Sequence, residues 1–352
     1  MSGGDPVARG VDLRARGELD AAIAAHREAV ATTPDSAWAW GHLAVSLHHA
    51  RRFDEAAHAY ERALALGDDP VDRANYGMLL LGGGDFERGW PLHDYRRRAP
   101  DYAGLSLPFP EWRGGDLEGR SLLIWPEHGF GDQIQFARYA NLAAARGARV
   151  LLGATPELAD LFAGLDAEVF RLAGELEIPR PDLWAPVMAL PGLFGTTAKT
   201  IPGAPYLAVP PDRRARWADA VPPGRVGVVW KGSGDNPNDA NRSLPSLAAF
   251  APLVEAGAQL VDLQVPRGDF ADTAAILEQL DLVVTVDTAM AHLAGALGRP
   301  CWVLLPWSRC DWRWGRSGAT TPWYPSLRLF RQPALGDWDS VMADVAAAWR
   351  GL

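Results

Sequence analysis

Small and apolar positions recur at three- and four-residue spacing through the first part of the chain. GELDAAIAAHREAV (17–30) and RRFDEAAHAYERAL (51–64) carry the same pattern, with Ala22 falling on Ala56 and Ala29 on Ala63, an offset of 34 residues. Such spacing lines one face of a helix, so the pattern predicts amphipathic helices that return in pairs. Trp40, Leu43 and Ala44 fall on the first helix of the second pair, and Pro34 closes the first. A third, decayed copy reads ANYGMLLLGGGDFERGW (74–90), with Gly77 and Phe86 in register and Gly89 at the small position. Small residues at these positions let two helices approach closely, which is a packing role rather than a catalytic one. Three such units are about the minimum that buries a continuous core.

Pro and Gly interrupt the helical period in RAPDYAGLSLPFPEWRGGDLEGR (98–120), a connector. Beyond it, short apolar runs alternate with helical stretches. SLLIW (121–125), ARVLLGA (148–154) and DLWAPV (182–187) read as strands, with helices over 133–147 and 156–165. A second Pro-rich connector (201–225) follows, and the alternation restarts. RVGVVW (225–230), QLVDL (259–263), LVVTV (282–286) and CWVLL (301–305) read as strands, with helices near 245–257, 270–280 and 288–298. Strand–helix alternation predicts parallel sheets with crossover helices. The expected order is helical repeats over 1–98, a connector over 99–120, and two Rossmann-like α/β units over 121–205 and 206–352 with a cleft between them. Open parallel sheets bind ligands outside the carboxyl ends of their strands. Attention therefore falls on loops 126–132, 231–243, 264–269 and 287–292.

Composition narrows the chemistry. A chain of 352 residues exceeds what one core usually serves, and 48% apolar with 22% charged residues is ordinary for a globular protein. A net charge of −9 with no basic stripe argues against nucleic acid as the main partner, while leaving room for a small anionic ligand held by a few local donors. The start, MSGGDPVARGVD, has no apolar signal core, and no later run reaches the length of a membrane span. Cys301 and Cys310 form no CxxC pair and suggest a reducing compartment, so a cytoplasmic location is expected. No HExxH, zinc-type Cys/His spacing or EF-hand loop is present, and DNPND (235–239) reads as a loop rather than a cation site. Neither metal nor cofactor is expected. The absence of GxSxG and GxxxxGK[ST] removes hydrolase-elbow and P-loop readings.

Six of the eight histidines precede residue 100, and the α/β portion holds only His128 and His292. Both fall at predicted carboxyl ends of strands. In VVTVDTAMAHLAGALGRP (283–300) a strand runs into Asp287-Thr288 and a helix of small residues. Two readings stand side by side. Asp287 caps that helix by accepting a backbone N–H, or the helix start binds phosphate through its free N–H groups and dipole. Thr288 and His292, four apart, share one face of the first turn. PEHGFGDQIQF (126–136) has Gly129 and Gly131 but lacks the third glycine of a dinucleotide fingerprint.

The 34-residue offset resembles the tetratricopeptide family. VDTAMAHLAGALGRP resembles the VDTG-x-x-H-x-A-A-L segment of bacterial heptosyltransferase-like glycosyltransferases, which have the GT-B fold of two Rossmann-like domains. GFGD resembles the loop of those enzymes in which a Gly-Asp pair opens the first helix. More similar still are tetratricopeptide proteins bearing such a transferase domain, with EQGLGD-x-x-QF-x-RY and DWRW…PWYPS-x-RLFRQ. These read here as EHGFGDQIQFARY (127–139) and DWRWGRSGATTPWYPSLRLFRQ (311–332). As an ordered set the motifs span about residues 105–335. Ala289 departs from the usual glycine, and His128 stands where glutamine is common.

The resemblance implies an inverting, metal-independent transfer of sugar from a nucleotide sugar to a hydroxyl. It makes Asp132 the base, with His128 and Glu127 in reserve. The bare alternative is that Asp132 only caps the helix starting at Gln133, since a helix N-terminus favours a charged carboxylate and so weakens it as a base. Lys231, Arg242, Gln264, Asp287, Thr288, Ala289 and His292 are the implied donor-binding set, and Gly129, Gly131 and Gln133 the acceptor loop. Trp312 and Trp314 are candidates for a pocket wall, against the plainer reading of core packing on the sheet. The repeats imply a protein acceptor, as in repeat-bearing relatives that modify flagellin. A saccharide acceptor of the lipopolysaccharide type and a catalytically silent scaffold are the alternatives. ADP-, UDP-, GDP- and CMP-linked sugars all fit as donors.

Overall fold

The computed structural model describes residues 5–99, 102, 106–174, 177–234, 236, 238–265 and 267–352. Parts of five expectations lie outside the described residues: the repeat span 1–98 (1–4), the connector 99–120 (100, 101 and 103–105), the DNPND loop and loop 231–243 (235 and 237), and loop 264–269 (266). The chain divides into two compact units: residues 1–105 with 308–316, and residues 106–307 with 317–352.

The first unit consists of antiparallel helix pairs: α1 (Pro6–Ala15) with α2 (Leu19–Thr32), α3 (Ala37–His49) with α4 (Phe53–Leu66), and α5 (Pro70–Gly82) with α6 (Phe86–His93). Local chemistry sets the starts. Asp5, Ser36, Asp69 and Asp85 each cap a helix through the side chain, and Pro6 and Pro70 occupy first positions that have no partner for an N–H. Ile23, Leu43, Leu47, Tyr60, Tyr76 and Leu79 pack around the small residues Ala44, Ala56 and Ala59 to form one core. Gly77 shows why small residues recur, since a Cβ there would lie 2.4 Å from the backbone nitrogen of His93. The stretch 308–316 belongs to this unit although it follows the α/β strands in sequence. Ser308 Oγ donates to the His49 carbonyl at 2.9 Å and Arg316 donates to the Leu79 carbonyl at 2.8 Å, satisfying carbonyls in the last turns of α3 and α5.

In the second unit, β1 (Ser121–Trp125), α7 (Phe130–Ala145), β2 (Arg149–Ala154), α8 (Ala159–Phe162), β3 (Glu168–Arg171), β4 (Leu183–Pro186) and α9 (Leu190–Leu193) build a parallel sheet of order β3-β2-β1-β4. Then come α10 (Pro211–Arg216), β5 (Arg225–Val229), α11 (Asp239–Arg242), α12 (Ala251–Glu255), β6 (Gln259–Asp262) and α13 (Phe270–Leu277). They are followed by β7 (Leu282–Val286), α14 (Ala289–Ala296), β8 (Cys301–Leu305), β9 (Leu327–Arg331) and α15 (Trp338–Arg350). The second sheet is also parallel, with order β6-β5-β7-β8-β9. Its strands β7 and β8 are buried at every position, which is why they read as unbroken apolar runs. Strand order reverses between β1 and β4 in one sheet and between β5 and β7 in the other. The crevices at those reversals open at the ends of β1, β4, β5 and β7.

Several elements differ from the sequence expectation. α7 begins at Phe130, so Gly131 and Asp132 lie inside its first turn rather than before it. The helix expected near 245–257 is a 3₁₀ turn at Leu247–Phe250 continuing into the short α12. β3, β9 and α15 had no counterpart in the sequence reading. β3 is a partly exposed edge strand with little apolar signal. β9 alternates Leu and Arg around Phe330, the mark of a strand with one open face. The connector also contributes to the first sheet, as Trp112 N and Trp184 N bond across it to Trp184 O and Pro110 O at 2.8 and 2.9 Å.

Candidate functional site

Gly129 is the N-cap of α7, and the Asp132 carboxylate reaches back to accept from the Gly129 N–H at 3.1 Å. That bond is half of a capping box and holds the carboxylate at the helix start. Upstream, His128 is exposed and has a left-handed backbone, with φ of 56°. A side chain with a Cβ is uncommon there, and such strain tends to collect at functional loops. The Glu127 carboxylate accepts from the backbone N–H of Met188 at 3.2 Å, tying the end of β1 to the segment after β4. Gln133 is buried, and its Oε1 accepts from Thr155 Oγ1 at 3.4 Å, so it faces the end of β2.

The end of β7 is built differently. Thr288, not Asp287, caps α14, accepting from Met290 N at 3.2 Å. Its hydroxyl also pairs with Thr285 Oγ1 at 3.1 Å, and Thr285 donates to the Val286 carbonyl at 2.7 Å. This relay fixes the Thr288 hydroxyl at the cap. His292, one turn in, is 5% exposed, and its Nδ1 lies 3.0 Å from the Tyr324 hydroxyl.

These two helix starts meet. A Cβ at Gly131 would lie 2.9 Å from His292 Cδ2, 3.6 Å from Nε2 and 3.5 Å from the Ala289 Cα. Glycine at 131 therefore permits the contact of α7 with α14, and it sets the residue next to Asp132 against the turn that runs from Ala289 to His292. Around this contact, Phe130 meets Phe270 edge-on at 5.0 Å, and Phe270 N donates to the Glu157 carbonyl at 3.1 Å. Arg213 pairs with Asp160 at 2.7 Å and Asp269 at 3.2 Å, which links the two sheets by charge as well as by packing.

The remaining donor-set residues cluster at the end of β5. Lys231 is exposed. The Gln264 side chain is occupied with the backbone of that loop: Oε1 accepts from Lys231 N at 2.9 Å and Nε2 donates to Lys231 O at 3.1 Å. It thus holds the loop that presents Lys231. Arg242 packs beside Gly232, where a Cβ would lie 2.6 Å from its guanidinium, and its Nε is 3.6 Å from Asp239. Asp239, the last residue of DNPND, and Ser243, which carried no sequence signal, complete the loop. Gly232 N donates to Ser243 Oγ at 3.0 Å, and Ser243 Oγ donates to Asp239 at 2.9 Å.

Trp312 and Trp314 are both buried, and Trp312 lies in the helical unit, edge-on to Trp90 at 5.4 Å and His93 at 5.7 Å. Sequence reasoning also passed over the group behind the site. Arg138 is 1% exposed, and its guanidinium lies 4.4 Å from the Tyr206 ring, 4.8 Å from Tyr324 and 5.6 Å from Trp323. It donates to the carbonyls of Pro202 and Trp323 at 2.9 and 3.1 Å. The motif pairs RY (138–139) and WY (323–324) were the available signal, but nothing local said that they touch. Among the described residues, no three His, Cys, Asp or Glu side chains gather so as to hold a metal ion. No helix there is long and apolar enough to cross a membrane.

Comparison with known proteins agrees with this layout. Residues 13–80 match the tetratricopeptide repeat family, and residues 248–304 match glycosyltransferase family 9 (heptosyltransferase). The chain thus combines tetratricopeptide repeats with an α/β portion like that of family 9 glycosyltransferases. It is 27% identical to Protein FlbA of Caulobacter vibrioides over an alignment of 389 residues that covers 95% of this chain. It spans 65% of the length of that protein. Among solved structures, it is similar to a family 9 glycosyl transferase from Veillonella parvula, with 9% identity and a TM-score of 0.46 over 63% of this chain and 88% of that one. Similarity to the ADP-heptose lipopolysaccharide heptosyltransferase II of E. coli has 13% identity and a TM-score of 0.44, over 65% of this chain and 98% of that one.

Proposed function

We propose that the protein transfers a sugar from a nucleotide sugar to a hydroxyl of a protein acceptor, with inversion at the anomeric carbon and without a metal. The abutment of α7 and α14 through Gly131 and His292 carries this reading. It supports a crevice shared by Asp132, next to Gly131 on one helix start, and the first turn of α14 with its imidazole on the other. Asp132 accepts the acceptor's proton as the hydroxyl oxygen bonds to the anomeric carbon. The bond from that carbon to the diphosphate breaks, and its electron pair leaves on the nucleoside diphosphate. Thr288, Ala289 and the first turn of α14 receive the departing phosphate, with Lys231 and Arg242 supplying positive charge. Asp287 then stands beside the sugar rather than the phosphate, because a carboxylate repels the leaving anion. His128 and Glu127 remain the reserve bases.

The repeats favour a polypeptide over a free saccharide, because a helical solenoid presents an extended concave surface. A bacterial flagellin-type acceptor is the form we propose. Cys301 and Cys310 form no disulfide, which supports a reducing, cytoplasmic setting.

A thermal-shift panel of nucleoside diphosphates and nucleotide sugars tests the donor half. Ligand at 100 times its Kd stabilises the folded protein by about 2.7 kcal/mol. A matching nucleotide raises the melting temperature, and a flat response across the panel overturns the reading. Turnover insensitive to EDTA supports metal independence, and its loss on chelation removes it.

A further inference from the structure

His292 is aimed by a residue far away in sequence. Its Nδ1 lies 3.0 Å from the hydroxyl of Tyr324, and its Cδ2–Nε2 edge faces Gly131 on α7. Tyr324 is fully buried, and its position is tightly determined. Gly295 leaves room for the ring, since a Cβ at that position would lie 2.4 Å from it. The Arg138 guanidinium lies over the same ring at 4.8 Å.

Hydrogen-bond roles around this hydroxyl are constrained. Arginine only donates, so a bond from Arg138 uses a lone pair of the tyrosine oxygen. Tyr206 spends its own proton on the Ile134 carbonyl at 2.8 Å and has none left to give. Burial pushes the Tyr324 hydroxyl well above its ordinary range; Tyr206 pushes it up further and Arg138 draws it down. The phenol therefore keeps its proton, and the hydrogen bond the geometry gives it is the one to His292 Nδ1 at 3.0 Å.

We propose that Tyr324 is a positioning residue that donates to Nδ1 of His292, fixes the imidazole as the Nε2–H tautomer, and turns that N–H toward the crevice between α7 and α14 to stabilise the departing diphosphate. This rests on the glycosyl-transfer reading for its chemical consequence, though not for the tautomer itself. The role needs a donor whose direction is set by the bond on its other nitrogen. It also assigns a reason to the distant WY pair (323–324), which sits in the crevice wall behind His292 rather than on the ligand.

The test uses the full chain labelled with ¹⁵N-histidine, alongside Tyr324→Phe, His292→Ala and the double variant. Phenylalanine keeps the ring packing, and melting temperature checks the fold. In the wild type, the His292 nitrogen shifts show an unprotonated Nδ1 and a protonated Nε2, and Tyr324→Phe turns this into a tautomer mixture. Turnover in Tyr324→Phe falls on the order of 10-fold or more, with the donor KM little changed. Adding Tyr324→Phe to His292→Ala costs nothing further, because one residue acts through the other. A protonated Nδ1 in the wild type, unchanged turnover in Tyr324→Phe, or additive losses would each overturn the proposal. Should the wild type transfer no sugar from any donor, the glycosyl-transfer reading fails, while the nitrogen shifts still decide whether Tyr324 sets the tautomer.

Discussion

The helical unit and the crevice of the α/β unit use histidine in opposite ways. In the helical unit, burial pushes His26, His42 and His48 down to about 4 and His49 to about 3. Arg14 adds to the effect at His26, His42 and His49, and Arg316 at His48. These rings are neutral packing elements. His26 fills the space that Gly10 leaves, where a Cβ would lie 2.4 Å from Nε2, and its Nδ1 pairs with Ser46 at 3.0 Å. In the crevice, His128 occupies a left-handed loop position in solvent, and His292 is held by a tyrosine at the start of a helix. The same side chain is a spacer between helices in one region and a positioned polar group in the other. What separates them is whether the ring fills a helix–helix seam or stands at the carboxyl end of a parallel strand.

Changes in the crevice should therefore cost turnover, and changes in the helical unit should cost stability. The largest effect is expected for Asp132→Asn, with a loss of roughly 10²- to 10⁴-fold in kcat, the usual worth of a general base. Its melting temperature should stay close to that of the wild type, because asparagine still accepts from Gly129 N. Retained activity would move the base to His128 or Glu127.

Next comes Gly10→Ala, which forces the His26 ring aside. Overpacking of this kind costs about 1–3 kcal/mol, read as a lowered urea midpoint. Turnover on a small hydroxyl acceptor should be unaffected, and a loss there would erase the division between the regions. Gly131→Ala, expected to lose about 1–2 kcal/mol through the His292 clash, should also slow turnover because it parts the two helix starts. A stability gain from the helix-favouring alanine, with activity intact, would mean that the contact is dispensable.

The smallest and most gradual effect is with pH. The four shifted histidines have folded-state values below their ordinary 6.5, so the unfolded chain takes up protons first as pH falls. Their contribution to stability is complete above about pH 6.5 and is lost progressively toward pH 4, and for His49 toward pH 3. Asp72 opposes them: burial and the neighbouring Asp69 raise it to about 6, so its protonation favours the folded state over much of the same range. Four groups outweigh one. Urea midpoints followed by circular dichroism at pH 7, 6 and 5 should fall in that order. Replacing His26 and His42 together with glutamine should flatten the trend, and an unchanged slope would show that these rings are not the cause.

The amino-acid sequence alone determined the helix pairs, the strand–helix alternation and both crevice loops. Each of these is a local pattern: a 34-residue period, apolar runs long enough for a buried strand, and glycines or threonines at helix starts. Asp132, Thr288 and His292 were legible for the same reason, standing at the ends of elements that the pattern had already drawn. Tertiary structure decided the rest. It alone put Tyr324 on His292 across 32 residues, Arg138 on Trp323 across 185, and Ser308 on the helical unit across 259. It showed Gln264 bracing the backbone of Lys231, and Thr288 accepting from Met290 N at the helix cap. Periodicity constrains neighbours along the chain, whereas buried arginine–aromatic and histidine–tyrosine contacts depend on where two sheets and their helices close upon one another. Gly131 belongs to both: its place was visible in the loop, but the close approach that requires it exists only once α7 meets α14.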